Sequence, residues 1–197
     1  MAGSSIGIFL FPEVEELDWA GPWEVLRVWQ LYWPGDGAEV FTLAQDPGPV
    51  TCAKGLKVLP DHTWDDAPPI DVLVYPGGQG TRNHLEDEAI MGWLKKTAAQ
   101  ASLMTSVCTG SLVYAAAGLL DNRPATTHWS TIDLLGQLGH NIEVRPDDRF
   151  VDDGDVITSA GVSAGLDMAL HQVARLSSRE RAAEVRRAIQ YDPEPPV

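Results

Sequence analysis

Apolar residues in this chain fall into short continuous runs, separated by stretches in which they recur at helical spacing. The run from Ile6 to Phe11 predicts a strand buried on both faces. From Pro22 to Trp33, Val25, Val28 and Trp29 share one helical face, and Pro34 to Gly37 stops that helix. Glu39 to Ala44 alternates and predicts a second strand, ended by Asp46-Pro47-Gly48-Pro49. Residues 50–60, with Gly55 inside, predict a small hairpin or extension covering the sheet edge. Asp71 to Tyr75 is another buried strand and runs straight into Pro76-Gly77-Gly78-Gln79-Gly80, where the glycines permit close backbone approach.

Asn83 to Ala99 predicts a helix with Ile90, Trp93 and Leu94 on one face. Residues 102–107 predict a strand, followed by an Ala-rich helix that opens after Cys108 and is capped by Gly118. Beyond it, residues 125–128 are extended, 131–138 helical and 141–145 a strand. Phe150 to Thr158 predicts a hairpin turning at Asp153-Gly154. Helices over 162–176 and 178–189 complete the core, and 193–197 is a tail. Strands alternating with helices predict an α/β three-layer sandwich with a mostly parallel central sheet. With no linker or repeat, one domain over 1–192 is expected.

At 197 residues the chain is long enough for one well-filled core, and 44% apolar with 21% charged residues is ordinary for a globular protein. A formal charge of −14 without a basic cluster argues against a nucleic-acid partner. No apolar run approaches the roughly 20 residues of a membrane helix. The only two cysteines, Cys52 and Cys108, with no basic leader at Met1 to Ser5, predict a reducing, cytoplasmic setting. The five histidines are scattered without metal-ligand spacing, so no metal is expected.

Candidate chemistry centres on Cys108. A cysteine between a strand and a helix N-terminus lies near unpaired N–H groups and the positive end of the helix dipole, an arrangement expected to favour a thiolate. A buried structural cysteine is the plain alternative. Asp18, Gly77-Gly78 and Cys108 each follow a central strand, and the carboxyl ends of such strands share one rim. Asp18 taken alone reads equally well as a helix N-cap. Glu15 and Glu16 read as solvated loop charges. Trp19, Trp23 and Trp129 flank these motifs and suggest an apolar substrate pocket, although core burial explains Trp23 as well.

Val107-Cys108-Thr109-Gly110, Ala125-Thr126-Thr127-His128-Trp129, Leu17-Asp18-Trp19-Ala20-Gly21-Pro22 and Pro76-Gly77-Gly78 together resemble the ThiJ/PfpI superfamily, which has a class I glutamine amidotransferase-like fold. Within it the chain is most similar to isocyanide hydratases and to sensor domains fused to AraC-type regulators, over about Ile6 to Tyr191. The resemblance implies a flavodoxin-like homodimer with a nucleophile-elbow cysteine and no organic cofactor, acting on a small molecule. It implies Cys108 as nucleophile and Asp18 as the acidic residue on its sulfur. Thr109 stands where peptidase-like members carry a histidine, which disfavours a protease triad.

The implied reaction is hydration of isocyanides to N-substituted formamides through a Cys108 thioimidate. Asp18 would act as acid and base, and N–H groups near Gly78 and Thr109 would stabilise developing charge. His128 is a pocket residue without an assigned role. Arg82 departs from the hydratase pattern and resembles the regulator-like group, so it favours either an anionic ligand or a surface ion pair with Glu86. The alternatives are a glyoxalase-like enzyme acting on 2-oxoaldehydes through Cys108 and His128, and a small-molecule or redox sensor in which Cys108 oxidises to a sulfinate. The regulators continue into a helix-turn-helix region whereas this sequence stops at Val197, which weighs toward an enzyme.

Overall fold

The computed structural model describes residues 3–193, so residues 194–197 of the expected tail lie outside the described residues. In chain order the elements open with β1 (Ser5–Leu10), α1 (Glu16–Tyr32), β2 (Glu39–Ala44), β3 (Val50–Thr51), β4 (Lys57–Val58) and β5 (His62–Thr63). β6 (Val72–Tyr75), α2 (Thr81–His84), α3 (Glu88–Ala98), β7 (Leu103–Val107) and α4 (Gly110–Ala116) follow. The last third contains β8 (Pro124–Ala125), α5 (Ile132–Leu138), β9 (Glu143–Val144), β10 (Phe150–Asp152), β11 (Val156–Ser159), α6 (Ala164–Leu176) and α7 (Arg179–Ala188).

Seven strands form one sheet in the order β10-β11-β7-β6-β1-β2-β5, parallel throughout except for the β10–β11 hairpin. Each central strand is buried along almost its whole length, which is why the sequence shows continuous apolar runs there rather than alternation. α1, α6 and α7 pack together on one face. Ring contacts of Phe9 with Trp93 and of Tyr75 with Tyr114 place α3 and α4 on the other. Thr105 ties the layers together. It accepts from Gln172 Nε2 at 2.7 Å and donates to the Leu73 carbonyl at 2.8 Å, while its own carbonyl accepts from Tyr114 Oη at 2.8 Å. The mixed α/β fold with a mostly parallel sheet is as expected.

Three local expectations are corrected. α1 begins at Glu16 rather than Pro22, so Pro22 lies inside the helix and its missing N–H leaves the Asp18 carbonyl without the usual i−4 bond. The helix expected over 83–99 is two helices, because Asp87 starts a new one by accepting from the N–H groups of Ala89 and Ile90 at 2.9 and 3.1 Å. The β3–β4 hairpin does not extend the sheet, whose edge strands are β10 and β5. It closes over the end of β1, with Glu13 N–H donating to the Thr51 carbonyl and Ala53 N–H to the Val14 carbonyl, both at 2.9 Å. The strand expected over 141–145 is present as β9, and among the described residues it pairs with β8 rather than with the seven-stranded sheet.

Candidate active site

Cys108 lies between β7 and α4 with φ of 57°, in the left-handed region that a non-glycine residue occupies at a cost of roughly 1–3 kcal/mol. Four hydrogen bonds hold it there. Its N–H donates to the carbonyls of Ser159 and Ala160 at 3.1 and 3.2 Å, and its carbonyl accepts from Ser111 Oγ and Thr127 Oγ1, both at 3.0 Å. This sharp strand-to-helix turn carries the side chain to the carboxyl rim of the sheet, where only 6% of the residue is exposed.

Asp18 comes from the first turn of α1 and is fully buried. It is not an N-cap: Glu15 holds that position, and Asp18 Oδ2 accepts instead from Gly77 N–H at 2.9 Å. Oδ1 is buried with no hydrogen bond of ordinary length, while the Cys108 thiol and the Val162 N–H bear on the carboxyl at longer range. Burial raises the Asp18 carboxyl to about 7, opposed by the Gly77 N–H and reinforced by the nearby Glu15 charge.

Burial also pushes the Cys108 thiol up to about 12, and the Asp18 charge adds to this. The N–H groups of Thr109 and Val162 offset only part of it. The expected resting thiolate is therefore corrected to a thiol, because one short helix does not outweigh removal of the sulfur from water. At neutral pH the pair keeps at least one proton, and the carboxyl releases it before the sulfur does.

The glycine loop after β6 fixes this pair. Gly78 has φ of 128° and bridges to Val14, while Glu15 N–H donates to the Gly77 carbonyl at 2.9 Å. Gly78 N–H donates to Thr109 Oγ1 at 3.0 Å, and Thr81 Oγ1 lies 3.1 Å from the same oxygen. The loop amides of Gly77 and Gly78 are thus both engaged inside the protein. The expectation that Gly78 N–H stabilises reaction charge is corrected, leaving the amides of Thr109 and Val162 as the donors near sulfur.

A cavity of about 150 Å³ opens over Cys108, and its wall includes Thr109, Gly78, Arg82 and His128. Arg82 Nη1 donates to the Gly78 carbonyl at 2.9 Å rather than pairing with Glu86. His128 Nδ1 accepts from Ser130 N–H at 3.3 Å and lies 2.8 Å from Ser130 Oγ, which assigns the ring proton to Nε2. Two expected pocket residues are elsewhere. Trp129 is 79% exposed on the outer surface. Trp19 is buried in the core with its indole toward the Cys52 sulfur. Neither indole lines the cavity, which is small and has both polar and apolar walls.

The cavity also has walls that sequence reasoning passed over. Glu15 and Ala53 line it, and Glu15 and Glu16 both pair with Lys54 of the covering hairpin rather than standing solvated. Val162 enters with φ of 51°, a strained valine that nothing in its local sequence signals. Among the described residues there is no group of three or more His, Cys, Asp or Glu able to hold a metal ion, and no helix long and apolar enough to cross a membrane.

The chain belongs to the DJ-1/PfpI family, whose model matches residues 4–175. The chain is 42% identical over 191 residues to the isonitrile hydratase of Pseudomonas putida, covering 97% of this chain and 80% of that one. It is also 30% identical over 191 residues to the HTH-type transcriptional regulator GbdR of Pseudomonas aeruginosa, covering 95% of this chain but only 51% of the regulator. A ThiJ/PfpI family protein from Pseudomonas syringae has the same fold, with a TM-score of 0.87 and 35% identity over all of this chain and 78% of that one.

Proposed function

We propose that this protein hydrates small isocyanides to N-substituted formamides, with Cys108 as nucleophile and Asp18 as the proton carrier. The observation that carries this reading is the fully buried Asp18 carboxyl beside the buried Cys108 sulfur, where burial holds it up at about 7 and lets it both accept and donate a proton at neutral pH. The 42% identity to an isonitrile hydratase supports the same choice.

As the isocyanide carbon meets the sulfur, Asp18 takes the thiol proton and passes it to that carbon. An S–C bond and a C–H bond form, giving the thioimidate Cys–S–CH=N–R. Water then adds to this carbon as Asp18 takes one of its protons and hands it to the nitrogen, giving Cys–S–CH(OH)–NH–R. The C–S bond breaks as the hydroxyl proton passes to Asp18, releasing R–NH–CHO, and the departing sulfur takes that proton from Asp18. Overall one water is consumed and the enzyme is restored. The amides of Thr109 and Val162 stand ready to stabilise negative charge near the reacting centre.

The test is formamide released from cyclohexyl isocyanide and from methyl isocyanide, measured by chromatography. Activity in the parent and none in Cys108→Ser is expected, with the smaller substrate preferred by the small cavity. A parent that turns over neither isocyanide rejects the proposal.

A further inference from the structure

A second and larger cavity, of about 280 Å³, opens at the carboxyl ends of β1 and β2, on the face that carries α3. It shares no wall residue with the cavity over Cys108. Phe9, Phe11, Ile90 and Val50 supply apolar walls, and the loop from Gln45 to Pro49 forms the mouth. It exceeds the roughly 150 Å³ that suffices to hold a benzene ring in a protein core.

Of the polar side chains in its wall, His84 is the buried one. His84 is 8% exposed, with the edge of the Phe11 ring against it at 4.6 Å between centroids. Its Nδ1 lies 2.7 Å from Tyr75 Oη. The buried Tyr75 hydroxyl has no other acceptor among the described residues, so it donates to Nδ1, and the ring proton is therefore on Nε2. That Nε2–H makes no hydrogen bond among the described residues. Burial also keeps the imidazole neutral, lowering it to about 4. Gln45 and Asp46 are exposed at the mouth, so the buried side chains of the wall are apolar except for His84.

We propose that this cavity is a binding site for a small uncharged molecule with a ring-sized apolar body and one acceptor oxygen, such as an aryl ketone, whose oxygen accepts from His84 Nε2–H. The acidic mouth and the net charge of −14 disfavour anions, and the buried donor disfavours a cationic end. The site is independent of the hydration chemistry, since none of its walls belongs to the Cys108–Asp18 machinery.

The test is a titration of the parent protein with acetophenone and with α-methylstyrene, which has nearly the same shape but no acceptor oxygen. Binding is followed by NMR of the His84 ring nitrogens and the Ile90 methyl groups. Saturable shifts at both residues are expected, with α-methylstyrene bound about tenfold more weakly for want of one hydrogen bond. Equal affinity for the two compounds, shifts confined to His128 and the residues around Cys108, or no shifts up to the solubility limit would each overturn the proposal.

Discussion

Gly77 and Asp18 are fitted to each other: the Gly77 N–H donates to Asp18 Oδ2 at 2.9 Å, and a Cβ on residue 77 would stand 2.8 Å from that oxygen and 2.6 Å from Thr109 N. The glycine is therefore what lets the loop, the carboxyl and the elbow converge. Gly77→Ala is expected to push the carboxyl off the sulfur and lower kcat by roughly 10²-fold, the scale of a misplacement of about 1 Å. Steady-state kinetics alongside a melting curve check this, and an alanine variant with parental kcat speaks against the fit.

The pH dependence follows from the pair. The reactive form has a carboxylate beside a thiol, so it forms as Asp18 loses its proton near 7 and persists until the thiol ionises near 12. kcat/KM is expected to rise with pH through about 7 and then stay flat to at least moderately alkaline pH. A profile already flat from pH 5 contradicts this assignment.

Stability carries the same signature with a definite sign. The Asp18 carboxyl sits at about 7 in the folded chain against an ordinary 3.8, so its burial penalty is absent below 3.8 and grows as pH rises to 7. Asp18→Asn removes that penalty while its side-chain oxygen still accepts from Gly77. Relative to the parent, the variant is expected to gain stability between pH 4 and pH 8, by a few kcal/mol at most. Urea unfolding at both pH values checks it, and an unchanged difference between the two proteins counts against the buried ionisation.

His128 distinguishes two chemistries. Its Nδ1 is held by Ser130, and its role as a base belongs to the glyoxalase-like alternative. His128→Ala is expected to leave formamide production within a few-fold of the parent. A loss of about 10³-fold or more would instead place the imidazole in the proton path.

Much of the fold was legible because its strands are buried on both faces, and a continuous apolar run such as Ile6 to Leu10 has few other uses. Cys108 was legible for a related reason, since a strand, a turn and a helix adjoin there in sequence. Asp18 was not legible locally. Its position depends on a helix that starts six residues earlier than its apolar spacing suggests, and on an amide 59 residues away. Val162 and Glu15 reach the site only through tertiary contacts. The indoles of Trp19 and Trp129 show the converse failure: nearness in sequence to a motif does not determine which way a side chain faces, and one went to the core and the other to the surface.

The most direct measurement compares formamide production by the parent and by Asp18→Asn at pH 7.5, with a thermal melt confirming that the variant is folded. A fall of roughly 10²–10⁴-fold in kcat is expected when the proton carrier beside the sulfur is replaced by an amide. A folded Asp18→Asn protein with the parental rate would show that this carboxyl carries no proton in the reaction.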